Sequence, residues 1–165
     1  MLSPSGPKAP QANKSRKPPK EDSSNPDYES EQKRYKLLGD KGEQLVLDFE
    51  RKRLLDAGYL NLSKKVDKVK RDSDGFDITS FKEDGTPMQI EVKATRARVG
   101  QANFFLSVNE LNQAKVLPNY YVYVVFEVLT ENPKVWIAAN PFHPESSKIL
   151  LSPISYRVQI NTKLG

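Results

Sequence analysis

Cysteine is absent, and with it go disulfides and thiolate zinc sites. A single histidine, His143, rules out a His-rich metal cage, so any metal held by this chain is held by oxygen. Long apolar runs are missing too. The longest uncharged one, Tyr120 to Phe126, falls far short of the roughly 20 residues that span a bilayer. No charged start leads into an apolar stretch at the N-terminus, so neither a membrane nor secretion is expected. The chain reads as soluble and intracellular, cytoplasmic if prokaryotic and nuclear if eukaryotic. Net charge is scarce where it would matter. The 26 Lys+Arg exceed the 21 Asp+Glu by the cations of residues 1–20 (Lys8, Lys14, Arg16, Lys17 and Lys20), leaving the remainder formally neutral. The basic isoelectric point therefore belongs to a tail, and by itself does not argue that the folded part binds nucleic acid.

Half of the twelve prolines fall in residues 1–34, among Ser, Lys, Gln and Asn. Such a segment buries too little apolar surface to offset its ordering entropy, so 1–34 is expected to be a disordered Pro/Lys/Ser-rich arm and 35–165 the domain. KSRKPPK at 14–20 suits a nuclear address or a phosphate-attracting arm, and equally a solvated linker from a larger protein. Asp40-Lys41-Gly42-Glu43 has the form of a capped helix start, Leu45, Val46 and Phe49 follow at helical spacing, and Gly58 supplies a stop. Residues 61–74 are charged and weakly patterned, a loop or frayed strand. Its cations Lys64, Lys65, Lys68, Lys70 and Arg71 suit a phosphate backbone or plain solvent. Further on, a short strand is expected at Asn103–Leu106. A capping box at Ser107–Glu110 opens a helix lined by Leu111, Ala114 and Leu117. Tyr120–Leu129 reads as a strand buried on both faces, followed by strands at Lys134–Ala139 and, at an edge, Tyr156–Ile160. Helix, hairpin, strand, helix, strand, strand describes an α/β domain: a mixed sheet covered by helices.

The chemistry concentrates in GFDITSFKEDGTPMQIEVKAT, residues 75–95. Two β-rich runs, Phe76–Phe81 and Met88–Thr95, flank a polar turn at Lys82–Gly85, the form of a hairpin. In the second run the period of two puts Ile90 and Val92 on one face and Glu91 and Lys93 on the other. Folding the hairpin brings Asp77 beside Glu91 and Lys93. Glu and Lys alternate with Val and Ile on many solvated strands, but Asp77 lies inside an apolar pattern, where a carboxylate is costly unless paired or metal-bound. Two such carboxylates repel unless a positive charge separates them, and a hard divalent cation, Mg²⁺ or Mn²⁺, is the natural candidate.

Asp77 followed, after thirteen intervening residues, by Glu91-Val92-Lys93 resembles the signature of the PD-(D/E)XK nuclease superfamily, with Phe76 where its proline would stand. More narrowly, GE at 42–43, GFDI at 75–78, IEVKAT at 90–95, FFLSVNE at 104–110 and the Tyr-rich strand at 120–126 are similar to the NO VEIN C-terminal domain family. The likeness covers about residues 38–160. It implies a restriction-endonuclease-like fold and a Mg²⁺-dependent DNA endonuclease in a restriction, defence or DNA-processing setting, RNA not being excluded. Asp77, Glu91 and the Val92 carbonyl would ligate the metal. Lys93 would orient or deprotonate the attacking water, and Glu43 would complete the acidic cluster, although a first-turn glutamate also serves the helix dipole. Lys64, Lys65, Lys68, Arg96 and Arg98 would meet the nucleic acid, with Asn109, Glu110 and Gln113 at the border of the site. The alternative is a catalytically silent nuclease-like module that binds nucleic acid or a partner protein. Oligomeric state, and further domains of a larger protein, stay open at this level.

Overall fold

A computed structural model describes residues 26–100, 104–142 and 151. The elements run α1 (Pro26–Asp56), α2 (Leu60–Ser63), β1 (Asp67–Lys68), a 3-10 turn (Asp72–Asp74), β2 (Ile78–Phe81), β3 (Pro87–Ala94), α3 (Val108–Val116), β4 (Tyr120–Phe126) and β5 (Lys134–Ala139). They build a five-stranded mixed sheet in the order β1-β2-β3-β4-β5. Among the described residues only the β3–β4 pairing is parallel, and α3 forms the crossover between those two strands. Among the described residues no helix is long and apolar enough to cross a membrane.

The two faces of the sheet follow from strand periodicity. Ile78, Ile90, Val92, Tyr123 and Val125 pack against Val46, Leu47 and Leu54 of α1. Full burial of one such side chain contributes about 1.5–3 kcal/mol, and Val46, Leu54, Ile78 and Ile90 are completely buried. On the other face Tyr120, Val122, Val124 and Phe126 gather with Ala114 and Leu117 beneath α3. A strand covered on both sides has no use for alternation, which is why β4 reads as an unbroken apolar run. Glu91 and Lys93, being odd-numbered on β3, belong to the α3 side.

Gly42 sets how closely α1 approaches the sheet. A Cβ at this position would lie 2.6 Å from Ala94 Cβ, so the helix can seat on β3 only where it carries no side chain. Farther along α1, Glu50 is fully buried and fully partnered. Its carboxylate accepts from Arg53 (Nη2, 2.7 Å), Ser80 Oγ (2.6 Å) and Tyr123 OH (2.8 Å), which ties α1 to β2 and β4.

The structure departs from the sequence expectations at several elements. α1 begins at Pro26 and not at Asp40, so residues 26–34 are helical rather than part of the arm. Proline is well placed as the first helical residue, and the Glu, Lys, Arg and Leu residues that follow propagate a helix through the would-be cap. Phe49 is a flank and not a core residue, 41 % exposed with its ring edge-on to Tyr123, while Leu47 and Leu54 turn inward. The stretch 61–74 contains α2, β1 and the 3-10 turn. Residues 104–106 form no strand, since Phe104 is drawn into the core beneath α3 instead of pairing with a neighbour. β4 ends at Phe126, short of Leu129, because Glu127 turns the chain with φ +52°. The stop at Gly58 (φ +88°), the capping box at Ser107–Glu110 and the strand Lys134–Ala139 appear as expected. Residues 1–25, Asn103 and the strand expected at 156–160 lie outside the described residues, as does His143.

Candidate active site

The hairpin pairs Ile78 with Ile90, so the next position on β2's side, Asp77, faces Glu91. Asp77 is held there by its backbone, which donates to Ile90 O at 2.9 Å, and by its side chain, whose Oδ2 accepts from Val92 N–H at 2.8 Å. Glu91 and Lys93 sit two residues apart on the same face of one strand, close enough to pair. Lys93 Nζ lies 2.6 Å from Glu91 Oε1 and 2.9 Å from Glu110 Oε2.

Glu110 arrives on α3. Its Oε2 also accepts from Ser107 N–H (3.2 Å), and its own N–H donates to Ser107 Oγ (3.1 Å), the two arms of the capping box. The sequence places Glu110 only at the border, yet it touches Lys93 directly. Asn109 and Gln113 act one step away. Asn109 Nδ2 donates to Asp72 O and Ser73 O, and Gln113 lies so close to Gly75 that a Cβ there would meet its Cγ at 2.6 Å. With Tyr120 OH donating to Gly75 O (3.0 Å), they brace the left-handed turn (φ +72°) that delivers Phe76 and Asp77 to the sheet. Nothing in a local pattern announces Tyr120 as part of this brace.

Glu43 stands beside this group, deep within α1 and far from its first turn, so the helix dipole no longer accounts for it. Its Oε2 pairs with Lys68 Nζ of β1 at 3.1 Å, which removes Lys68 from the set of unopposed cations. Glu43, Lys68, Arg71, Phe76, Asp77 and Glu110 share the lining of one cavity of about 190 Å³. Lys64 and Lys65 are exposed beyond α2, and Arg96 and Arg98 are exposed beyond β3. Arg96 lines a different groove, of about 420 Å³, with Arg34, Tyr35, Leu38 and Leu129. The structure thus gathers Asp77, Glu91, Lys93, Glu110 and Glu43, and leaves four of the five named surface cations exposed and outside the cavity lining.

Charge in the cluster is unbalanced. Burial, with Glu43 and Glu110 nearby, pushes Asp77 up to about 6 even though Val92 N–H and Lys93 favour its anion. Burial and the neighbouring Asp77 push Glu91 up to about 8, against the pull of Lys93. Burial would lower Lys93, but Glu91 and Glu110 outweigh it and hold the ammonium above its ordinary value. The two members of the Glu91–Lys93 pair point different ways, one toward a neutral acid and one toward a charged base. The charged lysine is the firmer conclusion, since two carboxylates contact it. Three carboxylates facing one ammonium leave a deficit of positive charge.

Among the described residues no three His, Cys, Asp or Glu side chains group as a metal-binding set. Asp77 and Glu91 nonetheless form a pair, with Asp77 Oδ1 and Glu91 Oε2 left over from the contacts above. A pair of carboxylates with a backbone carbonyl such as that of Val92 is an all-oxygen donor set. It fits Mg²⁺ or Mn²⁺, which take one or two carboxylates and complete their shell with water and phosphate. The buried side-chain atom without a partner, among the described residues, is Gln89 Oε1, two residues before Glu91 on the same face of β3.

A family model described as "Protein NO VEIN, C-terminal" matches residues 42–138, from the α1 glycine that seats on β3 to the penultimate residue of β5. No curated protein and no solved structure matches the chain.

Proposed function

The chain belongs to the family of the NO VEIN C-terminal domain, and from that membership we propose that its mixed sheet is a restriction-endonuclease-like core, of the PD-(D/E)XK kind, that hydrolyses DNA phosphodiester bonds with Mg²⁺ or Mn²⁺. One observation carries the proposal. An aspartate fixed by a backbone N–H, a glutamate and a lysine converge on one patch of the sheet, the lysine amine 2.6 Å from the glutamate.

In this reading Asp77 and Glu91 hold the cation, with the Val92 carbonyl as a third donor. The cation, when bound, supplies Lewis acidity and lowers the pKa of a bound water. Lys93, charged and held on two sides, orients the attacking water and offsets negative charge as it builds on the phosphate. Glu43 adds to the negative field at Asp77 and favours a cation there. Exposed Lys64, Lys65, Arg96 and Arg98 are the cations available to the phosphate backbone. Each released counterion would add to affinity at low salt.

A second reading has its own support. Lys68 is neutralised by Glu43, and residues 21–165 carry no net charge, which suits a silent nuclease-like module docking on nucleic acid or protein. A nicking assay on supercoiled plasmid with Mg²⁺, Mn²⁺ or EDTA separates the two. Metal-dependent nicking by the purified chain supports the enzyme, and an intact plasmid under all three conditions supports the module.

A further inference from the structure

We infer that Glu110 is a positioning residue for Lys93: it anchors the ammonium from α3, so that Lys93 keeps its place when Glu91 turns to a cation. The inference rests on the reading of Lys93 and Glu91 given above and adds a role for a residue outside the metal set.

The capping box explains why a residue of this type stands three places after Ser107, but it does not explain the contact with Lys93. A capping box is served by Gln as well as by Glu, and it needs no partner outside the helix. Here one oxygen, Glu110 Oε2, receives both the Ser107 N–H at 3.2 Å and an ammonium from a strand 17 residues earlier at 2.9 Å. The reciprocal bond from the Glu110 backbone N–H to Ser107 Oγ fixes the helix start from which that side chain projects. The carboxylate therefore presents its charge to Lys93 from a rigid seat. Asn109, the preceding residue, fastens the same end of α3 to the turn before Asp77.

Lys93 has three N–H donors, and two of them are spent on Glu91 and Glu110. Glu91 also stands next to Asp77, so its charge is shared between Lys93 and whatever sits between the two acids. Glu110 shares its Oε2 with the Ser107 N–H, a neutral donor that makes no demand on its charge. If Glu91 were the sole anchor, a cation drawing it away would leave Lys93 free to swing on four methylenes. With Glu110 in place the amine stays beside a carboxylate that lines the same cavity as Asp77.

The experiment separates cap from anchor and reads Lys93 directly. Glu110→Gln keeps a capping side chain and removes the charge, Glu110→Asp keeps the charge on a shorter stem, and Ser107→Ala weakens the cap while leaving the carboxylate. Lysine ammonium ¹⁵Nζ–¹H correlations persist only where hydrogen bonds slow exchange, and the Lys93 signal is assigned by its loss in Lys93→Arg. The expected result is a Lys93 signal in the unmodified chain with and without Ca²⁺. In Glu110→Gln that signal disappears on adding Ca²⁺, in Glu110→Asp it is partly kept, and in Ser107→Ala it is retained despite a lower Tm. Where the chain cuts DNA, Glu110→Gln should lower kcat by about tenfold with KM nearly unchanged, the scale of losing an outer-shell partner. A Lys93 signal that survives Ca²⁺ in Glu110→Gln overturns the inference. So does one that Ser107→Ala abolishes as fully, since the cap would then be the whole role. These arms decide the anchor even if plasmid stays intact, in which case the nuclease reading alone fails.

Discussion

The Asp77 carboxylate accepts the Val92 N–H at 2.8 Å, so this acid is fastened to the backbone between the two other charged residues of the cluster, Glu91 and Lys93. An amide oxygen can take the same bond. Asp77→Asn should therefore fold, and its metal-free Tm should match or exceed that of the unmodified chain, since a partly buried acid is removed. Cleavage and any rise in Tm on adding Mg²⁺ should both vanish, because ligand binding stabilises only a chain that can bind. Thermal scans with and without Mg²⁺, beside the nicking assay, test this. A variant that still gains Tm with Mg²⁺ would remove Asp77 from the metal set.

Under the proposed hydrolysis, Lys93→Ala tests a role in transition-state charge against a role in binding. Cleavage in Mg²⁺ should fall about 10²-fold or more, while DNA affinity measured in Ca²⁺ stays within a small factor. The change also strips Glu91 of its 2.6 Å partner, so Tm should drop wherever Glu91 is ionised. If affinity falls as far as cleavage does, Lys93 is a phosphate contact and the silent-module reading gains.

The pH dependence follows from the two raised carboxyls. Asp77 moves from 3.8 to about 6 and Glu91 from 4.5 to about 8 on folding. Across that window the folded chain binds more protons than the unfolded one, so their contribution to stability falls as pH rises. Metal-free Tm should decline between about pH 5 and about pH 8, and Asp77→Asn should flatten the decline. Mg²⁺ should raise Tm more at the upper end, where it competes with fewer protons. A metal-free Tm that climbs across the same range, in parent and variant alike, would contradict the raised values.

Gly42→Ala tests the seat of Glu43. The added methyl would meet Ala94 Cβ at 2.6 Å, between a helix and a strand that cannot both yield. A loss of about 1–3 kcal/mol is expected, the usual cost of overpacking. Equilibrium urea denaturation measures it. If Glu43 contributes to the site from this seat, Mg²⁺-dependent stabilisation should weaken beyond what the reduced stability explains, whereas Glu43→Gln in the unstrained helix should weaken it alone.

Deleting residues 1–20 removes five cations and no acid. If the arm lies on duplex DNA, the slope of log K against log salt should become shallower by about 0.9 for each phosphate that the arm had neutralised. Fluorescence anisotropy over a salt series reads it directly, and an unchanged slope assigns the arm to a linker.

Local spacing alone determined a good part of this protein. The alternation of QIEVKA assigned Glu91 and Lys93 to one face of β3, the hairpin turn set Asp77 opposite them, and Ser107–Glu110 announced the start of α3. These are short-range consequences of strand pleat and helix capping, so they survive without knowledge of the rest of the chain. What no spacing contains is which distant element packs against which. The start of α1 at Pro26 moved Glu43 from a first turn to a helix interior, and the sheet edge gave it Lys68 as a partner. The burial of Glu50 beneath Ser80 and Tyr123 depends on three elements meeting. Glu110 became a contact of Lys93 only because the parallel pairing of β3 with β4 requires a crossover, and α3 in that crossover sets its first turn over the acidic end of the hairpin. Such contacts are fixed by packing between segments far apart in sequence, where the free energy of the whole sheet, and no local preference, selects the register.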